Sequence, residues 1–598
     1  MKTAVDILEE RISAAMAKVA GREDCAAIVR PATDAKFGDY QANGVMALAK
    51  QMKTNPRKLA EEVVKTLDLS DMCEPPEVAG PGFINLRLKA EFLAARLLEI
   101  NKDSANLSIA KTPQPKTIVV DFSCPNIAKQ MHVGHLRSTI IGDCICRMLE
   151  CLGHNVIRQN HIGDWGTQFG MLCVLFRDKT TARDIEEFKK IEDEWLSDDE
   201  ILKDMEAFYR EAKQKYDSDE NFAKDAREAI AGLQRGEEYW KDYWQAIVSV
   251  SESHYTKIYR NLGVTLTNED IRGESSYNDD LPIIVGELKK ADLAKESDGA
   301  ICVFPEGFKN KEGEPLPFII QKSDGAYLYA TTDLAALRYR VNELKADAII
   351  YVTDARQKLH FEMLFAVGRM AGWVSDDIKV SHVMFGSVLG EDGAPLKTRS
   401  GENVKLKELL DEAVERAMSV VEEKNPELGP DKKKQIAEAV GIGAVKYADY
   451  SNNRTSDYIF SFDKMLAMDG NTAPYMQYAY ARIKSIERKA QSKDVDIEAE
   501  LADVESLDLT EPAELDLAKY LIRYGEAIQA AATDYRPNYL TVYLYELAQK
   551  FSAFYTNCPV LVAGPDKRPT RLLLCDLTAR TIRHGLQELL GINVVEQM

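Results

Sequence analysis

At 598 residues the chain is too long for one hydrophobic core, and roughly three or four domains are expected. Its 45% hydrophobic and 29% charged content is that of a soluble globular protein, and no apolar run is long enough to span a bilayer. A net charge of -20 excludes a uniformly basic surface, so any contact with RNA has to be a local basic patch. From the N-terminus, Val5, Leu8, Ile12, Met16 and Val19 fall at helical spacing among acids, which predicts an amphipathic helix rather than a signal peptide. A second helical pattern covers residues 56–67, and 80–88 reads as a turn feeding a strand. This α+β region is expected over residues 1–108, followed by the proline-bearing linker 111–116.

Residues 117–122 are rich in β-branched side chains and short enough for a buried parallel strand. A helix is expected from about His135 to Cys151, then a strand from Asn155. Strand, loop, helix and strand in this order open a doubly wound nucleotide-binding sheet. The acidic stretch 183–220 predicts a solvated helical insertion whose apolar positions are Phe188, Trp195, Leu196 and Phe208. The alternation resumes with a strand at 348–352, a helix at 359–371 and a strand at 379–385 leading into the glycine-bearing loop 386–401. One domain is therefore expected over 115–404, with residues 176–320 inserted between its halves. Beyond Lys405 the pattern is helical, predicting a connecting region at 405–456 and a bundle at 457–598. The predicted fold is an α/β doubly wound parallel-sheet, Rossmann-like domain with an insertion, plus an α+β N-terminal domain and an all-α C-terminal bundle. The ten cysteines show no paired metal-ligand spacing and read as reduced, mostly buried thiols of a cytoplasmic protein.

The loop after the first parallel strand runs Ser123-Cys-Pro-Asn-Ile-Ala-Lys-Gln-Met-His-Val-Gly-His135. His132 and His135 stand three apart at a helix start, so their imidazoles share one face. Gly134 lets a ligand approach the backbone, and the helix start offers free N–H groups and partial positive charge to a phosphate. The same spacing also fits a structural pair or half of a metal site. A metal would want a third ligand, and no Cys/His cluster offers one at recognisable spacing.

Cys124-Pro-Asn and His132-Val-Gly-His135 together resemble the His-Ile-Gly-His signature of class I aminoacyl-tRNA synthetases. The longer run from Met131 to Asp143, followed by Asn160-His-Ile-Gly-Asp-Trp-Gly-Thr-Gln-Phe-Gly-Met171, is similar to arginyl-tRNA synthetases of bacterial type. Phe37-Gly-Asp-Tyr-Gln-Ala-Asn-Gly44 resembles that family's tRNA-contacting N-terminal domain, and 441–450 with 471–480 resemble the start of its anticodon-binding bundle. The resemblance implies an arginine–tRNA ligase. Arginine's carboxylate attacks the α-phosphate of ATP, giving arginyl-adenylate and pyrophosphate. The terminal adenosine of tRNA(Arg), through its 2′-hydroxyl in class I, then takes the arginyl group and AMP leaves. It further implies Mg2+ held mainly through the nucleotide, no structural metal, and a cytoplasmic monomer that does not associate with membranes. Arginine activation would require bound tRNA.

Carried onto this sequence, the resemblance makes His132, His135, Lys129, Lys397 and Arg399 catalytic. It assigns ATP contacts to His132, Gly134, His135, Met384, Lys397, Thr398, Arg399 and Ser400. The second loop departs from the class pattern Lys-Met-Ser-Lys-Ser: here Pro395-Leu-Lys-Thr-Arg-Ser-Gly401 sets Arg399 in place of the second lysine and Leu396 in place of the first. Arginine binding falls to Cys124, Asn126, His135, Glu274, Tyr329, Asp333 and Gln357. A guanidinium is planar, always charged and rich in donors, so its pocket needs fixed acidic acceptors. Tyr329 and Asp333, four apart, would share a helix face, with Gln357 and Asn126 on the amino acid's backbone end. For tRNA, five basic residues at Lys567, Arg568, Arg571, Arg580 and Arg583 and the tyrosines Tyr475, Tyr478 and Tyr480 fit a binding face. The basic set fits a solvated helix flank about as well, and aromatics at helical spacing are more often core, so no individual RNA contact is assigned.

Overall fold

The computed structural model describes residues 2–180, 199–397, 404–491, 495–502 and 504–598. The first helix, α1 (Ala4–Ala20), starts with a reciprocal cap: the Asp6 N–H donates to Thr3 Oγ1 and the Thr3 N–H to Asp6 Oδ2, both at 3.1 Å. Four short strands, β1 (Val29–Pro31), β2 (Tyr40–Ala42), β3 (Glu77–Ala79) and β4 (Phe83–Leu86), form an antiparallel sheet in the order β1-β2-β4-β3. Helices α2 (Gly44–Met52), α3 (Pro56–Thr66) and α4 (Ala90–Lys102) complete this region.

The doubly wound sheet then begins with β5 (Thr117–Asp121), α5 (Val133–Cys151) and β6 (Asn155–Gln159). Its apolar run Ile118, Val119 and Val120 is buried. Helix α5 begins two residues before the predicted start because His132 is its N-cap. It lies close against the sheet at Gly142, where a Cβ would sit 2.2 Å from the Phe122 ring. The inserted part comprises α6 (Thr167–Lys179), α7 (Asp199–Ser218), α8 (Glu220–Gln234), α9 (Glu238–Leu262) and α10 (Leu281–Lys290). An antiparallel trio follows, β7 (Ala294–Ser297), β8 (Ala300–Val303) and β9 (Phe318–Gln321). Of its predicted apolar positions, Phe188, Trp195 and Leu196 lie outside the described residues, while Phe208 on α7 meets Phe176 edge to face at 6.0 Å.

Helix α11 (Tyr329–Asn342), β10 (Ala348–Tyr351), α12 (Lys358–Met370) and β11 (Lys379–His382) return the chain to the main sheet. All three strand pairs are parallel and the order is β6-β5-β10-β11. The chain leaves β5 to one side and comes back to its other side, so the switch point opens at the C-terminal ends of β5 and β10, where a doubly wound sheet takes its ligand. Buried Arg340 of α11 staples these ends. Its Nη2 meets Asp121 of β5 at 2.7 Å, its Nε donates to Gln159 of β6 at 2.6 Å, and its guanidinium lies 5.0 Å from the Tyr351 ring of β10.

Next come β12 (Val388–Leu389), α13 (Leu406–Lys424), α14 (Pro430–Ser451) and β13 (Tyr458–Ile459). β12, in the glycine-bearing loop, and β13, in a stretch whose pattern is helical, pair in parallel, a two-residue pairing that is set by tertiary neighbours and leaves no periodicity. The C-terminal helices are α15 (Ala473–Gln491), α16 (Pro512–Leu521), α17 (Tyr524–Asp534), α18 (Pro537–Asn557) and α19 (Arg568–Arg583).

Packing divides the chain into two units. One joins Met1–Thr112 with Ala467–Leu589 and Asn593–Met598; the other joins Pro113–Leu466 with Leu590–Ile592. In the first, Glu526 of α17 accepts from the Tyr40 hydroxyl (2.8 Å) and from the Val5 N–H (3.2 Å), so the N-terminal segment and the bundle share one half-buried acid. No helix among the described residues is long and apolar enough to cross a membrane. All ten cysteines are free.

Candidate active site

The loop from β5 to α5 holds three non-glycine residues at positive φ, Ser123 (74°), Cys124 (49°) and Ala128 (61°). Such backbone persists only where surrounding contacts over-determine it. One face of α9 supplies them. Tyr259 Oη meets Ser123 Oγ (2.8 Å) and accepts from Asn160 Nδ2 (3.0 Å); Tyr255 Oη donates to the Asn126 carbonyl (2.5 Å); Ser251 Oγ accepts from the Ala128 N–H (3.1 Å). From α5, Ser138 Oγ accepts from the Ser123 N–H (2.9 Å) and donates to the Val352 carbonyl (2.6 Å), and Thr139 Oγ1 donates to Ser123 Oγ (2.9 Å).

The two histidines cap α5 reciprocally. The Gly134 N–H donates to His132 Nδ1 (3.0 Å), and the His132 N–H donates to His135 Nδ1 (3.1 Å). Since a backbone N–H can only donate, both Nδ1 atoms are unprotonated and each neutral ring carries its hydrogen on Nε2. Burial, then the neighbouring His132, pushes His135 down to about 3; burial, then Lys129 and Arg356, pushes His132 down as well. The pair therefore presents two neutral Nε2–H donors, with ring centroids 4.0 Å apart. Gly134 serves this cap, for a Cβ there would lie 2.7 Å from His132 Cε1. Lys129 is exposed and its Nζ sits 5.3 Å from the Tyr209 ring.

The second group of expected residues also lies around the strand ends. Cys124 Sγ donates to Asp121 Oδ1 (3.0 Å), and burial pushes this thiol well up, so it stays a neutral donor. Asn126 and Gln357 are exposed, Asn126 in a bridge with Gly163 and Gln357 in the turn after β10. Glu274 follows a segment tied to the extension of β6: its N–H donates to the Ile162 carbonyl (3.1 Å), and Asp164 accepts from the N–H (2.8 Å) and hydroxyl (2.6 Å) of Ser275. Burial, then Asp333, then Asp164, pushes Glu274 up to about 8. Asp333 lies one helical turn beyond Tyr329 on α11. His360 Nε2 donates to its Oδ2 (2.7 Å), and His161 Nε2 stands 3.8 Å from its Oδ1. Tyr329 is 65% exposed, its ring 5.4 Å from that of His360. Met384, half-buried after β11, accepts through its carbonyl from Arg454 Nη1 (2.6 Å). Lys397 is exposed, and Thr398, Arg399 and Ser400 lie outside the described residues.

Sequence reasoning missed the residues that hold this site: Arg137, Asp164, His161, His360, Arg340 and the Ser251, Tyr255, Tyr259 face. Arg137, His161 and Asp164 stood inside the quoted runs. The α9 face carried only its spacing of four, which any buried helix stripe shows. Among the described residues no group of three or more His, Cys, Asp or Glu is placed to hold a metal ion. The basic residues of α19 and its start are engaged with acids: Lys567 with Glu511 (3.5 Å), Arg568 with Glu500 (2.6 Å), Arg571 with Glu514 (2.7 Å) and Arg580 with Asp576 (2.6 Å). Arg583 donates to Gln587 (3.0 Å). Of the three tyrosines, Tyr480 is buried, Tyr475 packs 5.6 Å from Tyr545, and Tyr478 is 42% exposed.

A parallel sheet whose switch point carries a His-x-x-His helix start, with a lysine-bearing hairpin returning beside it, is the build of a class I aminoacyl-tRNA synthetase. Residues 99–462 match the family model for tRNA synthetases class I (R), catalytic domain; 6–88 match the arginyl tRNA synthetase N terminal domain, and 476–598 the DALR anticodon binding domain. An arginine–tRNA ligase of Chromobacterium violaceum is 50% identical over 592 residues, 99% of each chain. The arginyl-tRNA synthetase structures of Plasmodium falciparum and Thermus thermophilus superpose with TM-scores of 0.83 and 0.80, at 32% and 26% identity, each covering 100% of both chains. The chain belongs to the arginyl-tRNA synthetase family.

Proposed function

We propose that the chain attaches L-arginine to tRNA(Arg) at the expense of ATP, through arginyl-adenylate, with AMP and pyrophosphate as products. The observation that carries the site assignment is the pairing of two neutral Nε2–H donors at the start of α5 with a two-carboxylate pocket, Glu274 and Asp333, at the same end of the sheet. In this reading His132 and His135 donate to phosphate oxygens as charge grows on them, while Lys129, Lys397 and Arg399 supply the positive charge. Gly134, Met384, Thr398 and Ser400 complete the ATP contacts. Asp333, Glu274 and Tyr329 take the guanidinium, and Cys124, Asn126, His135 and Gln357 orient the carboxylate and ammonium for attack on the α-phosphate. Mg2+ arrives on the triphosphate, and no protein ligand is assigned to it. The reading includes a cytoplasmic monomer.

Pyrophosphate exchange with each amino acid, run with and without tRNA, tests the reaction. Arginine alone should support exchange, and only with tRNA present; preference for another amino acid would sink the reading.

A pH effect follows from Glu274. Its carboxyl is held up at about 8, so at pH 7 most molecules carry a proton there. A guanidinium alongside stabilises the anion and expels that proton. Arginine affinity should rise with pH up to about 8 and level off above it. Calorimetric titration at pH 7 in buffers of different ionisation enthalpy should report release of close to one proton. A count of zero would remove Glu274 from the pocket.

A further inference from the structure

We propose that Arg137 is a positioning residue that sets the separation between the two phosphate loops, a role resting on the reading of those loops given above. Arg137 stands two residues after His135 on α5 and is 1% exposed. Its Nη1 donates to the Gly386 carbonyl (2.7 Å) and to the Ser456 carbonyl (3.1 Å), and its Nε faces Asp449 Oδ2 of α14 at 2.9 Å. The rings of Phe385 and Tyr458 lie 5.7 and 5.2 Å from the guanidinium carbon. Gly386 and Ser456 are the backbone points from which β12 and β13 set out side by side. The hairpin that follows closes at Gly390 and Ala394 and leads to Lys397.

On the far side of the second loop the chain returns to the first. The Val133 N–H donates to the Val404 carbonyl and the Leu406 N–H to the Met131 carbonyl, both at 2.9 Å. The second loop is thus fastened to the helix of the first at both ends, by backbone pairing after it and by a single side chain before it. Two carbonyls taken by Nη1 and a carboxylate facing Nε lie on three segments, a spread that a planar guanidinium spans from fixed positions and a point-like ammonium does not. Stability alone accounts poorly for the choice, since apolar side chains of similar volume often replace a buried ion pair without loss. Apolar side chains would fill the space and leave the Gly386 and Ser456 carbonyls unheld, and an ångström of misplacement at a reacting centre costs about 100-fold in rate.

The test is the full-length double variant Arg137→Met with Asp449→Leu, assayed with tRNA for arginine-dependent pyrophosphate exchange and for melting. The expected result is near-normal melting, a kcat lower by about 100-fold, and an arginine KM within about threefold of the parent. The last follows because the arginine residues hang on the β5–α5 loop, the start of α5, the extension of β6, α11 and the β10 turn rather than on the hairpin. Recovery of kcat together with melting would overturn the proposal. Should the double variant not fold, Arg137→Lys decides: it keeps a cation opposite Asp449, and a folded protein with normal kcat refutes the role. Absence of arginine-dependent exchange in the unaltered protein would instead refute the reading of the loops.

Discussion

Asp333→Asn is expected to lower kcat/KM for arginine by about 10³-fold while leaving the KM for ATP within about twofold. The size follows from what is lost. On the proposed assignment a guanidinium meets acidic acceptors at Glu274 and Asp333, and a substrate charge left without its partner in a half-buried site would forfeit roughly 4 kcal/mol. The fold should be spared. Asparagine keeps an oxygen for His360 Nε2, now 2.7 Å from Asp333 Oδ2, so the contact with α12 survives the change. Melting should therefore move by only a few degrees, and steady-state kinetics with arginine and ATP varied separately would show the split. Glu274→Gln is expected to lose less, because the wild-type carboxyl must first give up the proton that burial and Asp333 hold on it. An unchanged arginine KM in Asp333→Asn would show that α11 does not line the pocket.

His135 is expected to matter through a neutral N–H rather than through charge. His135→Asn keeps an oxygen near the Nδ1 position that accepts from the His132 N–H, and lacks the Nε2 donor. It should lower kcat of adenylate formation by 10²–10³-fold, roughly the loss seen when one oriented donor is removed from a developing oxyanion, with tRNA binding unaffected. His135→Gln restores an N–H near Nε2 and should recover part of the rate. Equal activity of all three proteins would refute the assignment. Acid stability gives a second readout. The unfolded imidazole takes a proton below 6.5, and the folded one resists until about 3. The stability contributed by this site is complete above pH 6.5 and drains away as pH falls toward 3. Both variants should show a shallower loss of melting temperature over that interval than the parent.

Much of this was written in local pattern. The β-branched run at β5, the histidine pair opening α5 and the return of strand–helix alternation at β10 are consequences of short-range periodicity, and they place a nucleotide site at a switch point before any coordinate is known. The family resemblance added the acids Glu274 and Asp333, whose types suit a guanidinium even though their neighbours in sequence do not reveal it. What the sequence left open depends on groups far apart along the chain. That His132 and His135 are neutral donors follows from two backbone N–H contacts and from burial. The Glu274 carboxyl is pushed up first by burial and then by Asp333, 59 positions on, and Asp164, 110 positions back, none of which its neighbours in sequence reveal. Arg137 stands two residues from His135 in the quoted signature, yet its partners at 386, 449 and 456 are more than two hundred residues away. Periodicity reports which face of an element is buried. Protonation state and loop separation are set by which charges and carbonyls the tertiary fold brings opposite that face, and only folding decides those.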